Sequence, residues 1–119
     1  MVYTIDQIKE KIVPVAKQYD LSKIYLFGSY ARGEADGKSD VDIALELEDD
    51  SIYFDVYGRL LTIFDGNIDI LLVSDLLSPK TNIGKLVKKN FLNDREVIYE
   101  KSISWNWYSL FVGYGFISW

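Results

Sequence analysis

The sequence predicts an α/β (α+β) domain: a small mixed β-sheet of three to four strands packed with helices. Three observations carry this. Strand-period and helix-period segments alternate along the chain; 49% of its 119 residues are hydrophobic, enough for one core; and the patterning runs from Thr4 to about Glu100. Residues 1–100 are assigned to one domain and residues 101–119 to an aromatic C-terminal extension.

Thr4 followed by Gln7 reads as a capping box that opens a helix, and Ile5, Ile8, Ile12, Val15 and Tyr19 supply its apolar stripe. Pro14 falls inside that stripe and predicts a kink or a division. "KIYLF", Lys23 to Phe27, reads as a strand stopping at Gly28. "SYARGE" is a helical turn, and "EADGKS" is a loop with Asp-Gly at its tip.

"DVDIALEL" then alternates, with Val41, Ile43, Leu45 and Leu47 on an apolar face and Asp40, Asp42, Ala44 and Glu46 on the other. Ser51 is read as the cap of a helix running to about Phe64 and closed by Gly66. "NIDILLV", Asn67 to Val73, is nearly continuous in apolar residues and so reads as a central strand. Asn82 to Asn90 forms a basic-ended helix, with Lys80, Lys85, Lys88 and Lys89 as its solvated face, and Arg95 to Glu100 a last extended segment.

Composition excludes several chemistries. The chain has no cysteine, hence no disulfide or thiolate metal site, which fits a cytoplasmic location. It has no histidine, so any metal would rest on oxygen ligands and be a hard cation. A net charge of −5 argues against broad nucleic-acid binding. "MVYTIDQIKEK" lacks the apolar run of a signal peptide. Ile103 to Trp119 carries no charge and all three tryptophans, but is short for a membrane span and broken by polar residues and glycines. It reads either as a partner-binding or self-associating segment, which would make a homo-oligomer, or as a translated extension. Its composition, sharply unlike the rest, favours the extension.

The chemistry concentrates in "LFGSYARGEADGKSDVDIAL", Leu26 to Leu45. Residues two apart on a strand point to one face, so Asp40 and Asp42 are held side by side and repel. A divalent cation relieves that repulsion, and Mg²⁺ or Mn²⁺ suits an all-oxygen site. Gly28 lets backbone approach a ligand, Ser29 and the following amides suit an anion, and Arg32 adds charge one turn on. Asp69, inside an otherwise apolar strand, is a third candidate ligand, able also to orient or deprotonate an attacking hydroxyl. If its strand lies beside the Asp40–Asp42 strand, the three acids converge on a two-metal site for a nucleoside triphosphate.

Gly28-Ser29, ten intervening residues and Asp40-Val41-Asp42 form a GS-x10-DxD pattern. With Asp69 in "NIDILLVSDLL", this resembles the DNA polymerase beta-like nucleotidyltransferase superfamily, and within it the minimal nucleotidyltransferases encoded beside HEPN-domain partners. The resemblance implies Gly28 and Ser29 at the triphosphate, and Asp40, Asp42 and Asp69 as catalytic metal ligands. It implies Mg²⁺-dependent transfer of a nucleoside monophosphate, AMP from ATP in the antitoxin members, to a tyrosine of a HEPN toxin. A second function fits the same likeness: an idle antitoxin that neutralises its partner by contact. Family members normally stop near Glu100, so the extension is a departure. Small-molecule resistance enzymes and polymerases are disfavoured, since the chain has no room for their further domains.

Overall fold

In a computed structural model of the chain, residues 2–101 are described; the extension from residue 102 onward, and the readings attached to it, lie outside the described residues. Four strands, β1 (Lys23–Phe27), β2 (Val41–Glu46), β3 (Ile68–Leu72) and β4 (Glu96–Glu100), form one mixed sheet in the order β3-β2-β1-β4. β1 runs antiparallel to both β2 and β4, and β2 runs parallel to β3.

Helix α1 (Ile5–Gln18) begins as its sequence predicts. Thr4 Oγ1 accepts from the Gln7 amide at 3.1 Å, and the Gln7 side chain accepts from the Thr4 amide at 2.9 Å. Pro14 does not divide the helix, which continues to Gln18. Pro14 and Glu10, whose carbonyl loses its donor, are both exposed, so water can take the missing partner's place.

Helix α3 (Tyr53–Ile63) carries the chain from β2 across to β3, as a parallel pair requires. Its entry is a 3-10 turn over Asp50–Ile52, and the capping side chain is that of Asp49, which accepts from the Ser51 amide at 2.9 Å. Ser51 itself is not the cap. At the other end the Gly66 amide, at φ +79°, donates to Leu61 O and closes the helix.

The sheet is buried on both faces, unequally. Val41, Ile43 and Leu45 of β2 join Ile8, Ile12, Val56, Leu60 and Phe64 of α1 and α3 and their flanks in the main core. The opposite face is not uniformly polar, as the alternation of β2 suggests. Ala44 is fully buried there, in a smaller cluster with Phe27, Val73, Leu76 and Phe91. That cluster forms because two elements cover part of the face: α4 (Val73–Leu76), a short helix that follows β3 without a break in the apolar run, and α5 (Asn82–Asp94). Phe91 pins α5 down, meeting the rings of Tyr25 and Phe27 edge-on at 5.4 Å each.

The expectation that β3 is central is overturned: it is an edge strand. Its burial alternates, with Ile68 and Ile70 inward and Asp69 and Leu71 outward. The apolar run reads as continuous because Leu71, although outward, walls a cleft.

Candidate active site

The cleft is built from the loop upward. Between α2 (Gly28–Arg32) and β2, Asp36 accepts from the Lys38 amide at 2.9 Å and from Ser39 Oγ at 3.2 Å, which holds its carboxyl below the usual range. This local knot delivers the chain to Val41, whose amide donates to Asn67 O at 3.0 Å and starts the parallel ladder with β3.

From there register does the positioning. In β1–β2 Phe27 stands opposite Asp42, so Gly28 lies directly over the Asp42 side chain. Gly28 adopts φ +74°, and a Cβ placed there would run into Asp42 Oδ2. Ser29, half-buried, follows in the first turn of α2, which has no side-chain cap for its amides. In β2–β3 Asp42 stands opposite Asp69, and both point to the face roofed by α5. Phe27, Gly28, Ser29, Arg32, Asp42, Asp69, Leu71, Val87 and Asn90 enclose a cleft of about 420 Å³, the size of a small-ligand site.

The electrostatics of the cleft are unbalanced. Burial pushes the Asp42 carboxyl up to about 6, and the charge of Asp69, a hydrogen bond shared with it, and the charge of Asp40 push the same way. Arg32 pulls in the opposite direction but weakly. Neither Asp42 nor Asp69 has an ion-pair partner among the described residues.

Of the sequence-predicted residues, Gly28, Ser29, Arg32, Asp42 and Asp69 come together. Asp40 does not line the cleft. It precedes the first paired residue of β2 and is exposed, acting on Asp42 as a nearby charge. The full convergence of three acids is therefore not formed: among the described residues no three acidic side chains gather closely enough to hold one ion. Arg32 is also committed elsewhere. Its Nη1 bonds Asp94 of α5 at 2.6 Å and its Nε bonds Glu34 at 3.1 Å, and these contacts raise its pKa further.

Sequence reasoning missed Asn90, Val87 and Leu71 as cleft walls. The signal is present in α5, where Val87, Asn90, Phe91 and Asp94 recur at helical spacing on one face. It gains meaning only from the sheet order, which places α5 over the strand ends.

This donor set fits a hard divalent cation. It is all oxygen, its two carboxylates lie side by side uncompensated, and Mg²⁺ characteristically takes one or two carboxylates and fills its shell with water and substrate phosphates.

Residues 10–104 match the family described as polymerase beta, nucleotidyltransferase. The chain belongs to this family. A Methanocaldococcus jannaschii relative, provisionally named a protein adenylyltransferase, is 34% identical over 95 residues, covering 77% of this chain and 94% of its own. Two solved structures share the fold. One, a toxin–antitoxin complex with AMP-PNP, matches at TM-score 0.58 and 20% identity over 86% of this chain and 81% of its own. The other, a tri-AMPylated Shewanella oneidensis HEPN toxin in complex with MNT antitoxin, matches at TM-score 0.55 and 19% identity over 82% and 73%. Nucleotidyltransferases generally act with divalent metals. Among the described residues of this nucleotidyltransferase, no helix is long and apolar enough to cross a membrane.

Proposed function

We propose that this nucleotidyltransferase moves AMP from ATP to a tyrosine hydroxyl of a HEPN-domain protein partner, silencing it as an antitoxin in the cytoplasm, with residues 1–100 as the catalytic domain. The observation that carries the reading is the Asp42–Asp69 pair, set side by side by strand register beneath a glycine whose missing Cβ admits the Asp42 carboxylate. The provisional name of the relative supplies the adenylyl group and a protein acceptor, and the solved complexes supply the kind of partner.

In this scheme Gly28 and Ser29 bind the β- and γ-phosphates through backbone amides and the Ser29 hydroxyl. Arg32, once released from Asp94, adds charge there. Asp42 and Asp69 hold Mg²⁺, with Asp40 contributing field or a ligand at the rim; bound metal supplies Lewis-acid stabilisation of the phosphate oxygens. Asp69, the more exposed of the pair, takes the proton of the attacking hydroxyl. The α-phosphorus forms a bond to that oxygen and loses its bond to pyrophosphate.

A contact antitoxin is the second reading. One observation favours it: Arg32 is held by two carboxylates instead of facing the cleft freely. Mass spectrometry of a co-expressed HEPN partner after incubation with ATP and Mg²⁺ separates the two. A gain of AMP on tyrosine, lost with Asp42→Asn, supports the enzyme; a stable complex with no gain supports the contact antitoxin.

A further inference from the structure

A second pocket, of about 480 Å³, adjoins the cleft and shares two of its walls, Leu71 and Val87. Leu76 and Pro79 complete its apolar lining, and Asp75, Ser78 and Lys80, all exposed, supply its polar lining. From this arrangement we infer that the pocket receives the phenolic side chain of the acceptor; the inference deepens the function proposed above and rests on it for the identity of the acceptor.

Helix α5 serves as a ruler. Its C-terminal end touches the phosphate side through Asp94 and Arg32. Asn90 lines the cleft, Val87 belongs to both cavities, and Gly84 lies in the second pocket. Asn90 and Gly84 are about 9 Å apart along the helix. In the sheet the order runs from Gly28 at the end of β1, through Asp42 on β2, to Asp69 and Leu71 on β3, so the pocket walled by Leu71 lies toward the β3 side, away from Gly28 and Ser29.

Phosphoryl-type transfer places the attacking and leaving oxygens on opposite sides of phosphorus. With pyrophosphate departing toward Gly28 and Ser29, the incoming hydroxyl arrives from the side of this pocket. Leu71 is two residues from Asp69 on one face of β3, so a ring against Leu71 sets its hydroxyl near the Asp69 carboxylate. The phenolic oxygen bonds to the α-phosphorus, its proton passes to Asp69, and the bond to pyrophosphate breaks. The apolar lining suits an aromatic ring, and the exposed polar lining admits a side chain carried on another protein.

Two measurements test this on the full chain. N-acetyltyrosinamide, titrated into the protein and followed through methyl NMR, should shift Leu71, Leu76 and Val87 together. Ser78→Trp, which fills the pocket from an exposed position, should abolish those shifts. The same variant should lower AMP transfer to a HEPN partner by about 10²-fold, the scale of a misplaced nucleophile, while MgATP affinity stays unchanged. Should Ser78→Trp fail to fold, Lys80→Trp makes the same blockade. Absence of the methyl shifts, or full transfer by the blocked variant, overturns the inference. Weakened MgATP binding by the blocked variant also overturns it and makes the pocket a nucleobase site. If tyrosinamide seats in the pocket but the wild type modifies no protein, the pocket assignment stands and the adenylylation reading falls.

Discussion

Asp42 and Asp69 occupy facing positions of two parallel strands, and the charge of Asp69 joins burial in pushing the Asp42 carboxyl up. A fold built only for stability has no use for this pairing. Removing the charge of one partner should therefore stabilise the protein and disable it.

Asp42→Asn is the direct case. Transfer should fall by about 10²–10⁴-fold, the several kcal/mol expected when a metal-bound carboxylate is lost. Without metal at neutral pH the same variant should melt higher than the wild type. The upward shift of Asp42 corresponds to at most ~3 kcal/mol, and its partial exposure reduces this to on the order of 1 kcal/mol. That is a rise of about 4–8 °C in Tm for a domain of this size. Thermal unfolding followed by circular dichroism measures it; an unchanged or lower Tm would show that the pair is not strained.

The pH dependence follows from the same group. The folded Asp42 carboxyl holds its proton to about 6, above the 3.8 of an unperturbed aspartate. Its protonated form therefore contributes stability that is complete below the lower value and is lost as pH rises through the upper one. A divalent cation held by Asp42, as proposed, would compete with that proton. Mg²⁺ should raise Tm markedly at about pH 7.5 and little at about pH 5, and chelation should remove the difference. A Mg²⁺ effect of equal size at both values would place the ion elsewhere.

Two glycines with almost the same backbone separate strain from chemistry. Gly28 and Gly33 have φ of +74° and +73°, but a Cβ at Gly28 meets Asp42 Oδ2 and one at Gly33 meets nothing. Gly33→Ala should cost about 1–2 kcal/mol of stability and leave activity intact. Gly28→Ala should carry the same strain and also displace Asp42, abolishing transfer. Comparable activity in the two variants would refute the role given to the close approach.

Arg32 offers a gain-of-function test. Asp94→Asn removes its shorter ion pair, 2.6 Å long, at a cost of about 0–1 kcal/mol for a partly exposed contact. If Arg32 belongs to the triphosphate site, isothermal titration should find ATP bound several-fold more tightly. Unchanged affinity would return Arg32 to a purely structural role.

Much of this site is legible in the amino-acid sequence, because β2 alternates strictly and a strand fixes which side chains share a face. That alternation alone turns Asp42 away from the main core and onto the face that carries the cleft, and Thr4 and Gln7 announce the first helix. What is not legible depends on neighbours. The apolar run Ile70 to Val73 looks the same at a sheet's centre as at an edge whose outward leucine lines a cleft, so its pattern misplaces β3. Ala44 is too small to reveal by itself that Phe91 covers it. Asp40 is grouped with Asp42 by period, yet pairing with β3 begins only at Val41, leaving Asp40 outside the cleft.

The central claim is that this cleft transfers the α-phosphoryl end of a nucleotide. ATP labelled separately at the α- and γ-phosphates, incubated with the protein, Mg²⁺ and a HEPN partner, tests it most directly. The account predicts label on the partner from α-labelled ATP alone, with none when Asp69→Asn replaces the wild type. Label from the γ-phosphate, or α-label that survives Asp69→Asn, would contradict it.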